Sequence, residues 1–489
     1  VIALDLDELA AAVGGELVLP PGRDTPGAVS GSVTVDSRAV GAGDLFVALP
    51  GERADGADFV PAAAAAGAAA ALTTRPDPLL ACVVVADPVY ALGRLAAAVH
   101  ERLVTAGLLT VGITGSSGKT STKDLLGQVL AAAGPTVSPQ GSFNNDIGLP
   151  LTVLTADTRT RFLVLEMGSR GPGHIARLCA IARPQVGVVL NVGSAHLGEF
   201  GSAEVIAASK GELVEALPAG GTAVLNADDP RVAGMAPRTR ARVVTTGVTT
   251  TTADVRALDV ELDEAARARF TLAAAGEEHP VTLQVVGAHQ VANALSAAAA
   301  ALAAGLAPAQ VAEALSAAGP RSRWRMEVTR RADGVTVVND AYNANPESMG
   351  AALAALAGLA GQRRIAVLGA MGELGPGADA AHAKLGRDAV RAGVDVLVSV
   401  GPDAIGVHTG ALAEGSADGG ADAGHDLGRA VHVADRAAAG RLLAGLLAPG
   451  DVVLVKASRS YGLELLAAQL VDPDLLADGT TGSTGKGTA

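Results

Sequence analysis

Three things are scarce in this sequence: cysteine, aromatic side chains and lysine. The two cysteines, Cys82 and Cys179, each sit in an apolar stretch, so neither a disulfide framework nor a C-x-x-C metal knuckle can be built from them. Aromatic residues supply 2% of a chain that is 49% hydrophobic. The core must therefore be packed from Val, Leu, Ile and Ala, which suits closely packed α/β layers. Long hydrophobic runs are missing too. The Ala-rich stretches at 62–72 and 297–307 fall short of the roughly 20 residues that span a bilayer, so no membrane insertion is expected. The opening residues show no basic segment leading into an apolar one, so a secretion leader is not expected and a reducing, cytoplasmic setting is. No basic stripe is visible, and the net charge is −13. Nucleic-acid binding is not expected, and an anionic ligand would need a local cradle working against the field of the whole chain.

At 489 residues the chain is too long for one core and predicts three α/β domains. The expected divisions are 1–106, 107–318 and 319–477, followed by a Gly/Thr-rich tail at 478–489 expected to be disordered. The first part has short apolar pieces separated by Gly and Asp, as in VTVDSRAVGAGDLFVALPG from residue 33; it predicts a small α/β domain. A helical stretch at 88–103 leads into the next part. The second part contains continuous apolar runs at 108–113, 163–167 and 186–192, the pattern of parallel strands buried on both faces. With helical stretches between them, a doubly wound, mostly parallel sheet is expected. Alternation over 253–286 predicts a small antiparallel addition, and helices around 291–304 and 308–317 close the domain. Apolar runs at 335–338, 365–368, 396–400 and 452–455 alternate with helical segments and predict a Rossmann-like C-terminal domain, with a loose loop near 415–426.

The sharpest local signal is LLTVGITGSSGKTSTKDLLGQVL at 108–130. A buried strand runs into Gly115, Ser116, Ser117, Gly118, Lys119, Thr120 and Ser121, then into an amphipathic helix. Glycines let successive N–H groups point at a phosphate, and the helix N-terminus adds partial positive charge. Lys119 can reach outer phosphates, and the Thr120 hydroxyl can ligate Mg²⁺. Ile113 stands where the longer G-x-x-x-x-G-K spacing would need Gly, so this is the compact T-G-x-x-G-K-T form; the competing reading is an ordinary Gly-rich turn. The tail repeats TGSTGKGT at 481–488, but with no strand before it or helix after it.

Only six lysines occur, Lys119, Lys123, Lys210, Lys384, Lys456 and Lys486, against 31 arginines. Where Arg usually supplies positive charge, a retained Lys can mark an amine that must become neutral and react. Lys210, in SAEVIAASKGELVEAL, is such a candidate, a solvated helical lysine being the alternative. Glu166 ends the run LVLEM, and His196 follows VGVVLNV. Both would emerge at carboxyl ends of parallel strands, where open α/β sheets bind ligands, and Glu166 beside a phosphate cradle is a candidate Mg²⁺ ligand. A strand-end surface acid and a capping histidine are the competing readings.

Taken together, TGSSGKTS, GSFNNDIGLPLTVL, LEMGSRGPGHI, NVGSAHLGEFGS, ASKGEL, GAHQVANALSAAAA and NDAYNANPESM, in this order, resemble the Mur ligase family over almost the whole chain. DSRAVGAGDLFVALPG and NDAYNANPESM are similar to the branch that adds D-alanyl-D-alanine. The resemblance implies an ATP-dependent ligase acting on UDP-N-acetylmuramoyl-tripeptide and D-alanyl-D-alanine through an acyl phosphate, as a monomer with two Mg²⁺. It implies that Gly115 to Ser121 hold the ATP phosphates, and that Thr120, Glu166, His196 and a carbamylated Lys210 serve the metals. It further implies catalytic parts for Lys119, His196 and Lys210, and adenine and ribose contacts by His289, Asn293, Arg323, Asp340 and Tyr342. Substrate contacts fall to Ser37, Arg38, Asn144 and Asn145. Ala57 stands where the family usually has His, and Ala457 where it usually has Gly, which leaves the parts of Lys456 and Arg459 open. The alternatives are a sibling that adds one amino acid, such as a diaminopimelate-adding ligase (though no D-N-P-R motif occurs) or a folylpolyglutamate synthase, and a non-catalytic nucleotide-binding scaffold.

Overall fold

The computed structural model describes residues 2–51, 54–193, 197–417 and 429–472. Within them the chain builds three parallel-rich sheets in sequence order, each covered by helices. The first sheet has five strands in the order Glu16–Val18, Cys82–Val84, Ala70–Thr73, Leu45–Val47, Val33–Thr34; only the first pairing is antiparallel.

The second sheet has nine strands, with Leu109–Thr114 between Phe162–Glu166 and Val186–Val189 in parallel register. Its far edge, Arg267–Ala274 and Glu277–Val286, runs antiparallel, as the alternation over 253–286 predicts. The strand Phe162–Glu166 shows why the run reads as continuous hydrophobicity. Leu163 and Leu165 point into one core, while Phe162 and Val164 point into the core on the other face, so successive side chains meet different helix layers.

The second of these cores is lean because the helix Gln290–Ala303 presents Ala297 to Ala301, all fully buried. Methyl groups let this helix lie close against the helix Lys119–Ala131, which accounts for the scarcity of aromatics. The first core is shared. A single cluster runs from Leu4 through Leu92 and Val99 to Leu163 and Leu225. The helix Pro88–Thr105 packs against Gly148–Val153 and His174–Ala182, so the first sheet's helix is also a layer of the nine-stranded sheet.

The third sheet orders Glu327–Arg330, Thr336–Asn339, Asp451–Lys456, Arg363–Leu368, Val396–Val400 and Arg429–Val433, antiparallel only at its first pairing. Separate apolar clusters cover its two faces. Much of the loop expected near 415–426, and all of the tail from 478, lie outside the described residues. Among the described residues no helix is long and apolar enough to cross a membrane.

Candidate active site

The strand Leu109–Thr114 ends at Gly115, and the helix Lys119–Ala131 begins four residues later. Asn191, at the end of the neighbouring strand's run, pins the intervening loop. Its backbone oxygen accepts from Ser116 N–H at 3.1 Å and its Oδ1 from Ser117 N–H at 2.9 Å. Gly118 has φ 79°, and a Cβ there would come within 2.3 Å of Asn293 Oδ1. Only glycine meets both demands.

All of Gly115 to Ser121 line a cavity of about 520 Å³, together with Ser142, Asn144, Asn145, Glu166 and Lys210, and from the third sheet's side Arg325, Tyr342 and Arg459. Glu166 is paired in register with Ile113, so it leaves the sheet level with the loop. Its Oε2 accepts from Thr120 Oγ1 at 2.9 Å, and its Oε1 from Ser142 Oγ and Asn144 Nδ2, both at 2.7 Å. Burial pushes this carboxyl up, but Lys119, Ser142, Arg325 and Asn144 outweigh it and hold Glu166 below its usual value, ionised. A hydroxyl and a charged carboxylate side by side at a phosphate cradle fit Mg²⁺, which takes one or two carboxylates and completes its shell with water and phosphate oxygens. No group of three or more His, Cys, Asp or Glu gathers among the described residues. His196 lies outside them.

Lys119 Nζ donates to Gly115 O at 2.7 Å. Lys210 is 5% exposed and, among the described residues, has no hydrogen bond or ion pair. Burial, helped by the nearby charge of Lys119, brings it down to about 7, so a large fraction of this amine is neutral near neutrality. The other lysines divide clearly. Lys123 is buried in a pair with Asp124 (2.6 Å), Lys456 in a pair with Asp340 (2.6 Å), and Lys384 is an exposed partner of Asp388. Lys123 and Lys456 thus have buried acidic partners, and among the described residues Lys210 has none.

A second cavity of about 200 Å³ adjoins the loop, lined by Gly118, His289, Asn293, Asp340 and Lys456 among others. His289 Nδ1 is buried without a hydrogen-bond partner. Burial lowers this imidazole, the field of Asp340 only partly restoring it. Both oxygens of Asp340 are already used: Oδ1 accepts from Met326 N–H at 3.0 Å and Oδ2 from Lys456 Nζ.

Several expected site residues lie apart from these cavities or at a different one. Arg323 is exposed and lines neither cavity. Arg325, two residues on, lines both cavities, with Nη2 donating to Thr120 Oγ1 at 3.1 Å. Trp324 and Met326, on either side, have left-handed backbone, so the alternating arginines of RSRWRMEV do not share one face as they would in a strand. Tyr342 lines the larger cavity rather than the smaller one, with the Arg325 guanidinium 4.2 Å from its ring centre. Asn144, expected at the acceptor, is bound to Glu166. Ser37 and Arg38 sit in a 3-10 turn, Arg38 paired with Asp36 at 2.7 Å, and line neither cavity. Ala457 is fully buried, and a Cβ on Gly369 would come within 2.6 Å of its methyl group. Arg325, Ser142 and Asn191 are not among the expected site residues, although Ser142 and Asn191 lie in two of the motifs that carry the resemblance, GSFNNDIGLPLTVL and NVGSAHLGEFGS.

Three domain models match the chain: Mur ligase family, catalytic domain, at 31–102; Mur ligase middle domain at 113–301; and Mur ligase, glutamate ligase domain, at 324–459. The UDP-N-acetylmuramoyl-tripeptide–D-alanyl-D-alanine ligase of Mycobacterium tuberculosis is 52% identical over 512 residues, covering 99% of each chain. That of Escherichia coli is 34% identical, covering 95% of this chain and 97% of its own. Among solved structures, MurF from Acinetobacter baumannii superposes with a TM-score of 0.84 at 31% identity over 96% of this chain and 99% of that one. MurF from Thermotoga maritima in complex with ADP gives 0.77 at 30% identity over 91% and 98%. The three models together span most of the chain and these relatives cover nearly all of it, so the chain belongs to the Mur ligase family.

Proposed function

We propose that this chain joins D-alanyl-D-alanine to UDP-N-acetylmuramoyl-tripeptide with cleavage of ATP to ADP and phosphate. The observation that carries the reading is the convergence of Lys119, Thr120, Glu166, Lys210 and Arg325 on one cavity.

Amide formation from a free carboxylate needs a better leaving group than hydroxide. The tripeptide's terminal carboxylate attacks the γ-phosphorus of ATP, giving an acyl phosphate and ADP. The amine of D-alanyl-D-alanine then attacks the acyl carbon, loses a proton, and phosphate departs. The N–H groups of the loop, the start of the helix Lys119–Ala131 and Lys119 itself face the charge that develops on the transferred group. Lys119 exchanges its bond to Gly115 O for phosphate oxygens. Mg²⁺, bound by Thr120 and Glu166, would supply charge neutralisation at the outer phosphates. Arg325 closes the same site from the third sheet, which helps keep water from the acyl phosphate.

Lys210, in part neutral near pH 7, reacts with CO₂ to form a carbamate and a proton. The carbamate is a carboxylate-like group suited, with His196, to a second Mg²⁺. His289, Asn293 and Asp340 line the place for adenine and ribose; Asn145 borders the acceptor, and Ser37 and Arg38 belong to the UDP-sugar contact. One chain supplies every group named, so a monomer suffices. UDP-linked and ATP substrates place the reaction in the cytoplasm.

The test is phosphate release by the purified chain with UDP-N-acetylmuramoyl-tripeptide and D-alanyl-D-alanine. Phosphate equal in amount to pentapeptide product is expected. Equal or faster turnover with a single amino acid, such as diaminopimelate, would refute the reading, as would ATP binding with no acceptor-dependent turnover.

A further inference from the structure

The segment leading into the third sheet carries two non-glycine residues with left-handed backbone, Trp324 at φ 60° and Met326 at φ 49°. Such conformations persist only where the surroundings hold them. Here Trp324 N–H donates to Glu327 Oε2 at 3.1 Å, Met326 N–H to Asp340 Oδ1 at 3.0 Å, and Tyr342 N–H to Trp324 O at 3.3 Å. Arg325 is set between the two inversions.

Four side chains then form a column. The Arg459 guanidinium lies 4.1 Å from the Trp324 ring centre. Trp324 stacks on Tyr342 at 6.4 Å and 26°, and Arg325 lies 4.2 Å from the Tyr342 ring centre. At the outer end, Arg459 Nη1 is 2.5 Å from Glu464 Oε1. At the inner end, Arg325 reaches Thr120 Oγ1, while its Nε is buried with no hydrogen-bond partner. A guanidinium held over a ring is already ordered before it meets an anion, so less freedom is lost on binding. Trp324 lines neither cavity; it can act on the site only through its neighbours.

We propose that Trp324 is a positioning residue. It holds Tyr342, and through it Arg325, in the orientation that meets the outer phosphates of ATP, and it ties that orientation to the loop carrying Arg459. The proposal rests on the ATP-dependent reading above and adds to it a residue that touches no substrate.

A double-mutant cycle on the full chain tests it, reading kcat and KM for ATP with both acceptor substrates. Trp324→Ala is expected to lower kcat/KM for ATP about 30-fold, in the range that a displaced catalytic group costs. In an Arg325→Ala background the same change is expected to have less than about a 3-fold effect, because the positioned group is gone. Trp324→Phe, which keeps a ring between Arg459 and Tyr342, is expected to stay within about 3-fold of the wild type. A full loss in both backgrounds overturns the proposal, since a merely structural contribution adds to that of Arg325. So does a Trp324→Ala enzyme that matches the wild type. Should the alanine variant not fold, Trp324→Leu enters the cycle with the same two outcomes. If the wild type uses a different acceptor, the reaction assigned above fails, and the cycle is read from the affinity for a non-hydrolysable ATP analogue, where the same non-additivity is expected.

Discussion

Arg325 Nη2 donates to Thr120 Oγ1 across 3.1 Å, joining residues 205 apart in the chain. The same hydroxyl donates to Glu166 Oε2, so the third sheet's entry segment is bonded directly to the phosphate loop and its carboxylate. Arg325→Ala is expected to lower kcat about 100-fold, the order of losing one preorganised charge donor. Arg323→Ala, on the exposed neighbour, should change kcat by less than about 2-fold, as surface substitutions away from a site do. Steady-state ADP formation by the two variants decides between them, and the reverse ranking would show the assignment to be mistaken.

Lys119 is the cation at the head of the cradle. Lys119→Ala should remove acyl-phosphate formation, with kcat down at least about 1,000-fold. Trapping of the acyl phosphate by reduction is the direct readout, and near-normal trapping would rule out the part assigned to this amine.

For Lys210 the sign of the pH effect follows from burial. Its folded value is near 7, well below the ordinary lysine range, so between about pH 7 and 10.4 the unfolded chain binds more protons. Its unfavourable contribution to stability is therefore full below 7 and fades as the pH rises through that window. In CO₂-depleted buffer, Lys210→Met should withstand urea better than the wild type at pH 7, with the gap narrowing by pH 9. A gap that widens with pH would contradict a neutral buried amine. Activity of Lys210→Ala should return in part with added short carboxylic acids; a fully active variant would remove the carbamate proposal.

Gly118 combines a left-handed backbone with a Cβ position 2.3 Å from Asn293 Oδ1. Gly118→Ala should weaken ADP binding about 10- to 100-fold by moving either the loop or the helix Gln290–Ala303. Calorimetric titration with ADP gives the answer. Unchanged affinity would mean that the close approach is not needed.

Trp324 is the chain's one tryptophan, and it stands in the column between Arg459 and Tyr342. Titration with ATP and Mg²⁺ should change its emission in step with nucleotide binding. Tyr342→Ala should abolish most of that change, and a signal independent of Tyr342 would separate the column from the nucleotide.

The strand, glycine turn and helix at 109–131 were legible because everything they need is local: a buried apolar run, glycines at fixed spacing, and a helix that starts at Lys119. The position of Glu166 beside that turn was legible for a related reason, since it ends a buried parallel strand paired with the one that leads into the turn. That Arg325 rather than Arg323 lines the two cavities was not. Two left-handed residues reverse the alternation, and neither Trp324 nor Met326 announces that conformation, as a glycine would. The buried pair of Lys456 with Asp340, 116 residues apart, was equally hidden, because a lysine's partner can lie anywhere in the chain.

Sequence alone determined the three α/β layers, the mostly parallel middle sheet and the phosphate loop, since hydrophobic period and glycine spacing act over a few residues and do not depend on what folds against them. Tertiary structure decided that the first two layers share one core through the helix Pro88–Thr105, that Lys210 is desolvated while Lys384 is not, and that a stacked column aims Arg325 at Thr120. Those outcomes depend on which distant surfaces exclude water from one another and on backbone inversions held by remote hydrogen bonds, and neither leaves a periodic trace in the chain.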